Sequence, residues 1–328
     1  MARLRSIAIG REGGIALGIA ALVAILGAIE PRILTGEAAS ILLLTVPLVL
    51  VGAAGQLLVI ISRHVDISMG SILGLSAIVA GMAFRDLPGL PVAGGFAIGI
   101  GVGAAAGLVN ALLVTRLGLH SIIVTLGTLN IFRGLAFIVA DGRQVSAQEL
   151  PEALLALGRP AALGIPAITL LALLALALAH GVLRHTGLGR ALFAVGSNPQ
   201  AAHLRGVRVT SATSLAFALS GAAAGLAGVM YAARFGVVNA SSAGVGYELT
   251  VIAAVIVGGA SIAGGVGSAF GAGLGVLLVG VIEVALPMLG VARVWQDVLF
   301  GLIILAALAA DRVVTGRLFA RGAREVAP

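Results

Sequence analysis

The sequence predicts an all-α integral membrane protein with about ten transmembrane helices and both chain ends on the cytoplasmic side. Three observations lead there. Hydrophobic residues make up 60% of the chain and charged residues 10%, against about 25% charged in an ordinary soluble domain. The apolar residues fall in long unbroken blocks such as 41–61, and about 20 apolar residues in a helix cover the roughly 30 Å of a bilayer's hydrocarbon. These blocks do not alternate, which excludes an outer-membrane barrel and leaves helices to satisfy the backbone in lipid. No stretch remains for a separate soluble domain, so residues 1–328 read as a single transmembrane domain.

The expected segments are 14–29, 41–61, 67–84, 92–114, 121–140, 161–183, 212–233, 249–264, 266–290 and 294–310. The first follows Arg3, Arg5 and Arg11 and ends at Glu30-Pro31-Arg32 instead of a small-residue cleavage site. It therefore reads as a retained helix, not a signal peptide. The third and eighth are short and glycine-rich, which suits broken or re-entrant helices covered by protein or water. Glycines recur every fourth residue at Gly99, Gly103 and Gly107, at Gly221 and Gly225, and at Gly267, Gly271 and Gly275. Such ridges let helix backbones approach closely, as plain packing or as a moving seam between subunits.

Orientation follows from arginine. With the N-terminus inside, the inner connections carry thirteen: Arg3, Arg5, Arg11, Arg63, Arg116, Arg184, Arg190, Arg205, Arg208, Arg312, Arg317, Arg321 and Arg324. The outer ones carry six: Arg32, Arg85, Arg143, Arg159, Arg234 and Arg293. The excess favours an N-in, C-in arrangement, and it accounts for the net charge of +7 without nucleic acid.

The chain has no cysteine, which excludes disulfides and thiol catalysis within it. It also has no lysine; all twenty basic residues are arginine. A phosphate-binding P-loop and a Schiff base both require lysine. Transport driven by ATP would then need its ATP and Mg in a partner subunit, with no cofactor held here. His64, His120, His180, His185 and His203 are scattered and suggest no metal site.

The longest inner connection, 184–208, is too polar for lipid and too patterned for a linker. Asn198 suits a helix cap and Pro199 a first turn, a short helix follows over Gln200 to Leu204, and Gly206 ends it. Gln200-Ala201-Ala202 with Gly206 four residues on resembles the coupling loop of ABC importer permeases. The run from Gly189-Arg190 through Gly196, Asn198-Pro199 and Ala201-Ala202 is similar to the carbohydrate branch, the ribose, xylose and rhamnose permeases. Asp66-Ile67-Ser68-Met69-Gly70-Ser71, Thr125-Leu126-Gly127-Thr128 with Arg133-Gly134, and Val257-Gly258-Gly259-Ala260-Ser261 through Gly267-Ser268 resemble other signatures of that branch, in its order. Arg63-His64 departs from ribose-type sequences, which carry glycines there, and looks more like the rhamnose and autoinducer-type members.

The resemblance implies a ten-helix permease fold in the bacterial inner membrane that does no chemistry on its solute. It implies a second permease subunit, a cytoplasmic ATPase and a periplasmic sugar-binding protein as partners, with membrane lipid around it. Residues Gly189, Arg190, Gly196, Asn198, Pro199, Gln200, Ala201, Ala202, Arg205 and Gly206 are the expected ATPase-coupling loop. An ion- or proton-coupled secondary transporter is the alternative; it would need acids deep in the membrane, and Glu283 is the one acid clearly inside a segment.

Polar residues inside or between the apolar runs are candidates for the translocation path: Gln56, Asp66, Ser68, Asn110, Thr125, Thr128 and Asn130. The same groups also suit bonds between neighbouring helices. Asp66 reads either as a solvated acid paired with Arg63 or as part of a fixed bend that caps the next helix. Arg133 and Glu283 fall at about 20 Å and about 26 Å from the inner edge, similar depths that suggest a buried ion pair.

Overall fold

The computed structural model describes residues 2–160, 164–292 and 294–306. In chain order the helices are α1 (Ala2–Ile29), α2 (Gly36–Ile61), α3 (Met69–Asp86), α4 (Val92–Thr115), α5 (Ser121–Ala140), α6 (Glu152–Leu155), α7 (Ala167–His185), α8 (Gly187–Ser197), α9 (Pro199–Leu204), α10 (Val209–Phe235), α11 (Tyr247–Val257), α12 (Ala269–Met288) and α13 (Val294–Ala306). Eight of them are long and apolar enough to cross a membrane: α1, α2, α3, α4, α5, α7, α10 and α12. The helices α11 and α13 are apolar but shorter. Of the two segments read as short and suited to broken or re-entrant helices, the eighth ends early: α11 stops at Val257 and does not run on to 264. Gly259, Gly264 and Gly265 stand at φ +99°, +85° and +74°, left-handed values that end a helix. The third segment is an unbroken helix of 18 residues. The C-terminal arginine run from Arg312 lies outside the described residues, as does Arg293.

Helix α2 forms the centre. Val51, Ala53, Leu57, Val59, Ile60 and Ile61 are wholly enclosed, because α7, α10, α11 and α12 all pack around it. Its start is capped by Thr35, whose hydroxyl accepts the Ala38 N–H. Pro47 lies inside this helix, where it cannot donate to the carbonyl four residues back. That carbonyl belongs to Leu43, and the Thr169 hydroxyl of α7 donates to it at 2.7 Å. An acceptor that proline would orphan is thus satisfied by a neighbouring helix.

The glycine ridges are helix-packing seams within the chain. A Cβ at Gly103 would strike the Gly221 carbonyl, one at Gly221 the Gly103 carbonyl, and one at Gly225 the Gly99 carbonyl. Helices α4 and α10 therefore meet backbone to backbone. The third ridge does the same on α12, with Gly271 against the Gly258 carbonyl and Gly275 against that of Ala254.

The connections gather at two ends. At one end α8 and α9 lie beside the end of α2 and the α11–α12 turn, where the Gly265 N–H donates to the Ile61 carbonyl at 2.9 Å. At the other end the 141–166 connection pairs Val145 with Val238, and Arg32 reaches the Met288 carbonyl.

Two outcomes follow from this frame. Thr169→Val removes the partner of the Leu43 carbonyl and lowers stability by about 1–2 kcal/mol, readable in a denaturation series on the purified protein. In the naturally cysteine-free chain, Ser197→Cys reacts with an impermeant thiol reagent only from the cytoplasm and Gln148→Cys only from outside. Reaction of both from one side would overturn the two-ended arrangement.

Candidate functional site

Connection 184–208 folds into two short helices joined at a corner. Thr186 caps α8 by accepting the Gly189 N–H, and Asn198 caps α9 by accepting the Ala201 N–H at 3.0 Å with Pro199 in the first turn. Gly206 follows at φ +80°, a conformation that strains any residue with a side chain. Helix α9 matches the expected short helix; α8 replaces what reads in sequence as loop, because its apolar side packs onto the bundle through Leu192 and Val195.

This hairpin is seated by glycines. A Cβ at Gly189 would meet the Val182 and Leu183 carbonyls, and one at Gly196 the Ile61 carbonyl and the Gly265 N. The end of α2, the α8–α9 corner and the α11–α12 turn thus touch through backbone. Helix α9 meets the central helix by way of α8, which carries Gly196. Within α9, Ala202 is buried against its own bundle, which leaves Gln200, Ala201 and His203 exposed. Leu204 is 85% exposed and borders a shallow recess with Pro199, Gln200, His203 and Val209. Sequence reasoning passed over Leu204; its signal was a large apolar residue in an otherwise polar turn. Arg190 and Arg205 are also exposed at this end.

Arg63 adjoins the same corner at φ +69°, with Gly264 set against its Cβ and the Gly196 carbonyl. A left-handed backbone explains physically why glycine suits this position in ribose-type sequences.

Five of the seven polar path candidates come together in a sealed knot. The Ser68 N–H and hydroxyl both donate to Asp66 Oδ1, at 2.9 and 2.6 Å. Asn110 Nδ2 donates to Ser68 Oγ at 2.8 Å, and the Thr128 hydroxyl donates to Asn110 Oδ1 at 2.7 Å. Thr125 donates to the Ser121 carbonyl and reaches that of Val65. All five are buried, so they tie the 62–68 bend, α3, α4 and α5 together. Asp66 belongs to this bend and makes no ion pair with Arg63 among the described residues. Gln56 stands apart inside α2, with neither amide atom hydrogen-bonded. Asn130 is on an exposed face of α5 and bonds back to the Leu126 carbonyl.

The helices that carry Arg133 and Glu283, expected as a pair, pack on different neighbours. Equal depth does not make two residues neighbours: α5 packs on α3 and α4, while α12 packs on α1, α2, α7 and α11. Glu248 at the start of α11 is one carboxylate within reach of the Arg133 charge. Glu283 instead borders a cavity with Tyr231, Arg234 and Gln296. Among the described residues no group of three or more His, Cys, Asp or Glu is placed to hold a metal ion.

Residues 38–308 match the family described as branched-chain amino acid transport system / permease component. The chain is 35% identical over 308 residues to the autoinducer 2 import system permease protein LsrC of Yersinia pseudotuberculosis serotype O:1b (strain IP 31758), covering 94% of this chain and 86% of that protein. It is 35% identical over 301 residues to LsrC of Yersinia enterocolitica serotype O:8 / biotype 1B, covering 92% and 82%. No solved structure matches.

Replacing Arg63 with glycine relieves the left-handed strain at the corner. Arg63→Gly is expected to raise stability by about 1 kcal/mol, measured as a shift in the denaturation midpoint of the purified protein.

Proposed function

The chain belongs to the branched-chain amino acid transport system / permease component family, and from that premise we propose that it is the permease of an importer for a monosaccharide or related sugar-like solute. As a permease component of an ABC importer it is a multi-pass protein of the bacterial inner membrane and not an enzyme. ATP is bound in a separate subunit, which sets aside the ion- or proton-coupled carrier. The observation that carries the solute class is the likeness to autoinducer 2 import permeases over 94% of the chain, together with the carbohydrate-branch signatures in the sequence.

The mechanism proposed is alternating access. Residues 1–328 act as one permease domain, N-in and C-in, beside a second permease subunit, identical or related, with a periplasmic sugar-binding protein delivering the solute. The ATPase closes on ATP and displaces α9, and the glycine-seated corner passes the displacement to α2 and the α11–α12 turn. ATP shifts the equilibrium only through contacts that differ between the two states. Exposed Leu204 and Ala201 face the ATPase, Asn198, Pro199 and Gly206 fix the shape of the lever, and Gly189 and Gly196 seat it. Arg190 and Arg205 offer charges for acidic partner residues.

The test has two parts. Affinity-purified permease from its own bacterium brings down an ATPase, and membrane vesicles holding the complex take up D-ribose, D-xylose or L-rhamnose and not L-leucine. Uptake of leucine alone would overturn the solute class. Leu204→Glu and Ala201→Trp each lower uptake by about tenfold or more, while membrane insertion stays at the parent level. Normal uptake by both variants would remove α9 as the coupling element.

A further inference from the structure

Arg133 lies well inside α5, a helix long and apolar enough to cross a membrane. A charged side chain inside a span is costly, so it faces protein or water and pairs with an opposite charge or a carbonyl. In this structure Arg133 does neither. Its Nε–H is sheltered from solvent and meets no acceptor. None of the ion pairs among the described residues includes it.

The complementary group is on α11. Glu248 stands in the first turn of that helix, and its Oε2 is likewise sheltered and without a hydrogen-bond partner. It too is absent from the ion pairs among the described residues. The Arg133 charge acts on this carboxylate, so the two groups are within electrostatic reach and outside bonding distance. Each sheltered, unbonded atom carries a desolvation cost that one ion pair between them would offset. Helix α3 brings them near each other: α5 packs on it, and α11 touches it as well. Gly70 in the first turn of α3 makes the room, since a Cβ there would strike Glu248 Oε2 and the Gly244 carbonyl.

The two helices are anchored to different parts of the bundle. Helix α5 is tied to α4 by the Thr128–Asn110 bond and to the 62–68 bend through Thr125. Helix α11 leads into the turn whose Gly265 N–H bonds the Ile61 carbonyl beside Gly196. Both side chains are long and have several rotatable bonds, so a small relative shift of α5 and α11 is enough to join them. We propose that Arg133 and Glu248 are a state-dependent ion pair, apart in this structure and joined in the other state of the access cycle. It rests on the alternating-access reading and adds which residues of this chain make a contact that differs between the two states. Both are positioning residues: they hold α11 against α5 and do not bind the solute.

The experiment uses the full complex in membrane vesicles and the absence of native cysteine. Arg133→Cys and Glu248→Cys are combined in one chain and treated with a short, membrane-permeant bis-maleimide, without nucleotide and with ATP plus vanadate. The cross-link within one chain, read by mass spectrometry, differs several-fold in yield between the two conditions. Equal yields, no product in either condition, or a product joining two chains overturns the proposal. Uptake then tests the charges. Arg133→Glu and Glu248→Arg each lower it by about tenfold or more, and the two together restore most of it. Where a reversed charge blocks folding, the neutral cycle decides: Arg133→Gln with Glu248→Gln is no worse than either change alone. Effects that simply multiply remove the pair. The cross-link needs no transported solute, so if the parent imports none of D-ribose, D-xylose or L-rhamnose, the solute class fails while the cross-link still decides the pair.

Discussion

In hydrocarbon a backbone N–H or C=O without a partner costs several kcal/mol. This molecule leaves helical geometry inside its bundle at several points, and each departure comes with a specific remedy. At the 62–68 bend, Asp66 takes the Ser68 N–H and Asn110 closes the knot from α4. At Pro47, Thr169 takes the freed Leu43 carbonyl. In the α11–α12 turn, Ser261 donates to Val266 and Gly265 to Ile61. Asp66, Ser68, Asn110 and Thr169 among the polar residues of the apolar runs and their connections are intelligible as answers to these breaks. Buried polar groups of this kind hold discrete arrangements.

Close backbone approach is the second consequence. With little apolar driving force between helices in lipid, contact area comes from small residues. The α4–α10 and α11–α12 seams use glycine for this, and so does the corner at Gly196. The first two stiffen the bundle. The third brings the backbones of α8, α2 and the α11–α12 turn together at the α8–α9 corner.

Residues that share a chemical type have separated into different tasks. Gln56, Asn110 and Asn130 are all amides within apolar runs, yet one is enclosed in the central helix, one closes the polar knot and one lies on an exposed helix face. Arg133 and Glu283 read at comparable depth in sequence, yet α5 packs mainly on α3 and α4 and α12 mainly on α2 and α11. Depth along the membrane normal is readable from position in a segment; azimuth around the bundle is a product of which helices meet.

The sequence by itself determined the solvent and the class. Unbroken apolar blocks can only be helices in lipid, the missing lysine sends ATP to another chain, and Asn198-Pro199 with Gly206 marks α9 through purely local cap and turn chemistry. Tertiary structure alone decided at which residue α11 stops, that α8 is a helix, that Ala202 faces inward while Leu204 faces out, and that α5 and α12 pack on different neighbours. Those outcomes depend on contacts between segments distant in the chain, such as Gly196 with Ile61 and Gly265, and periodicity within one segment carries no information about which neighbour it will meet.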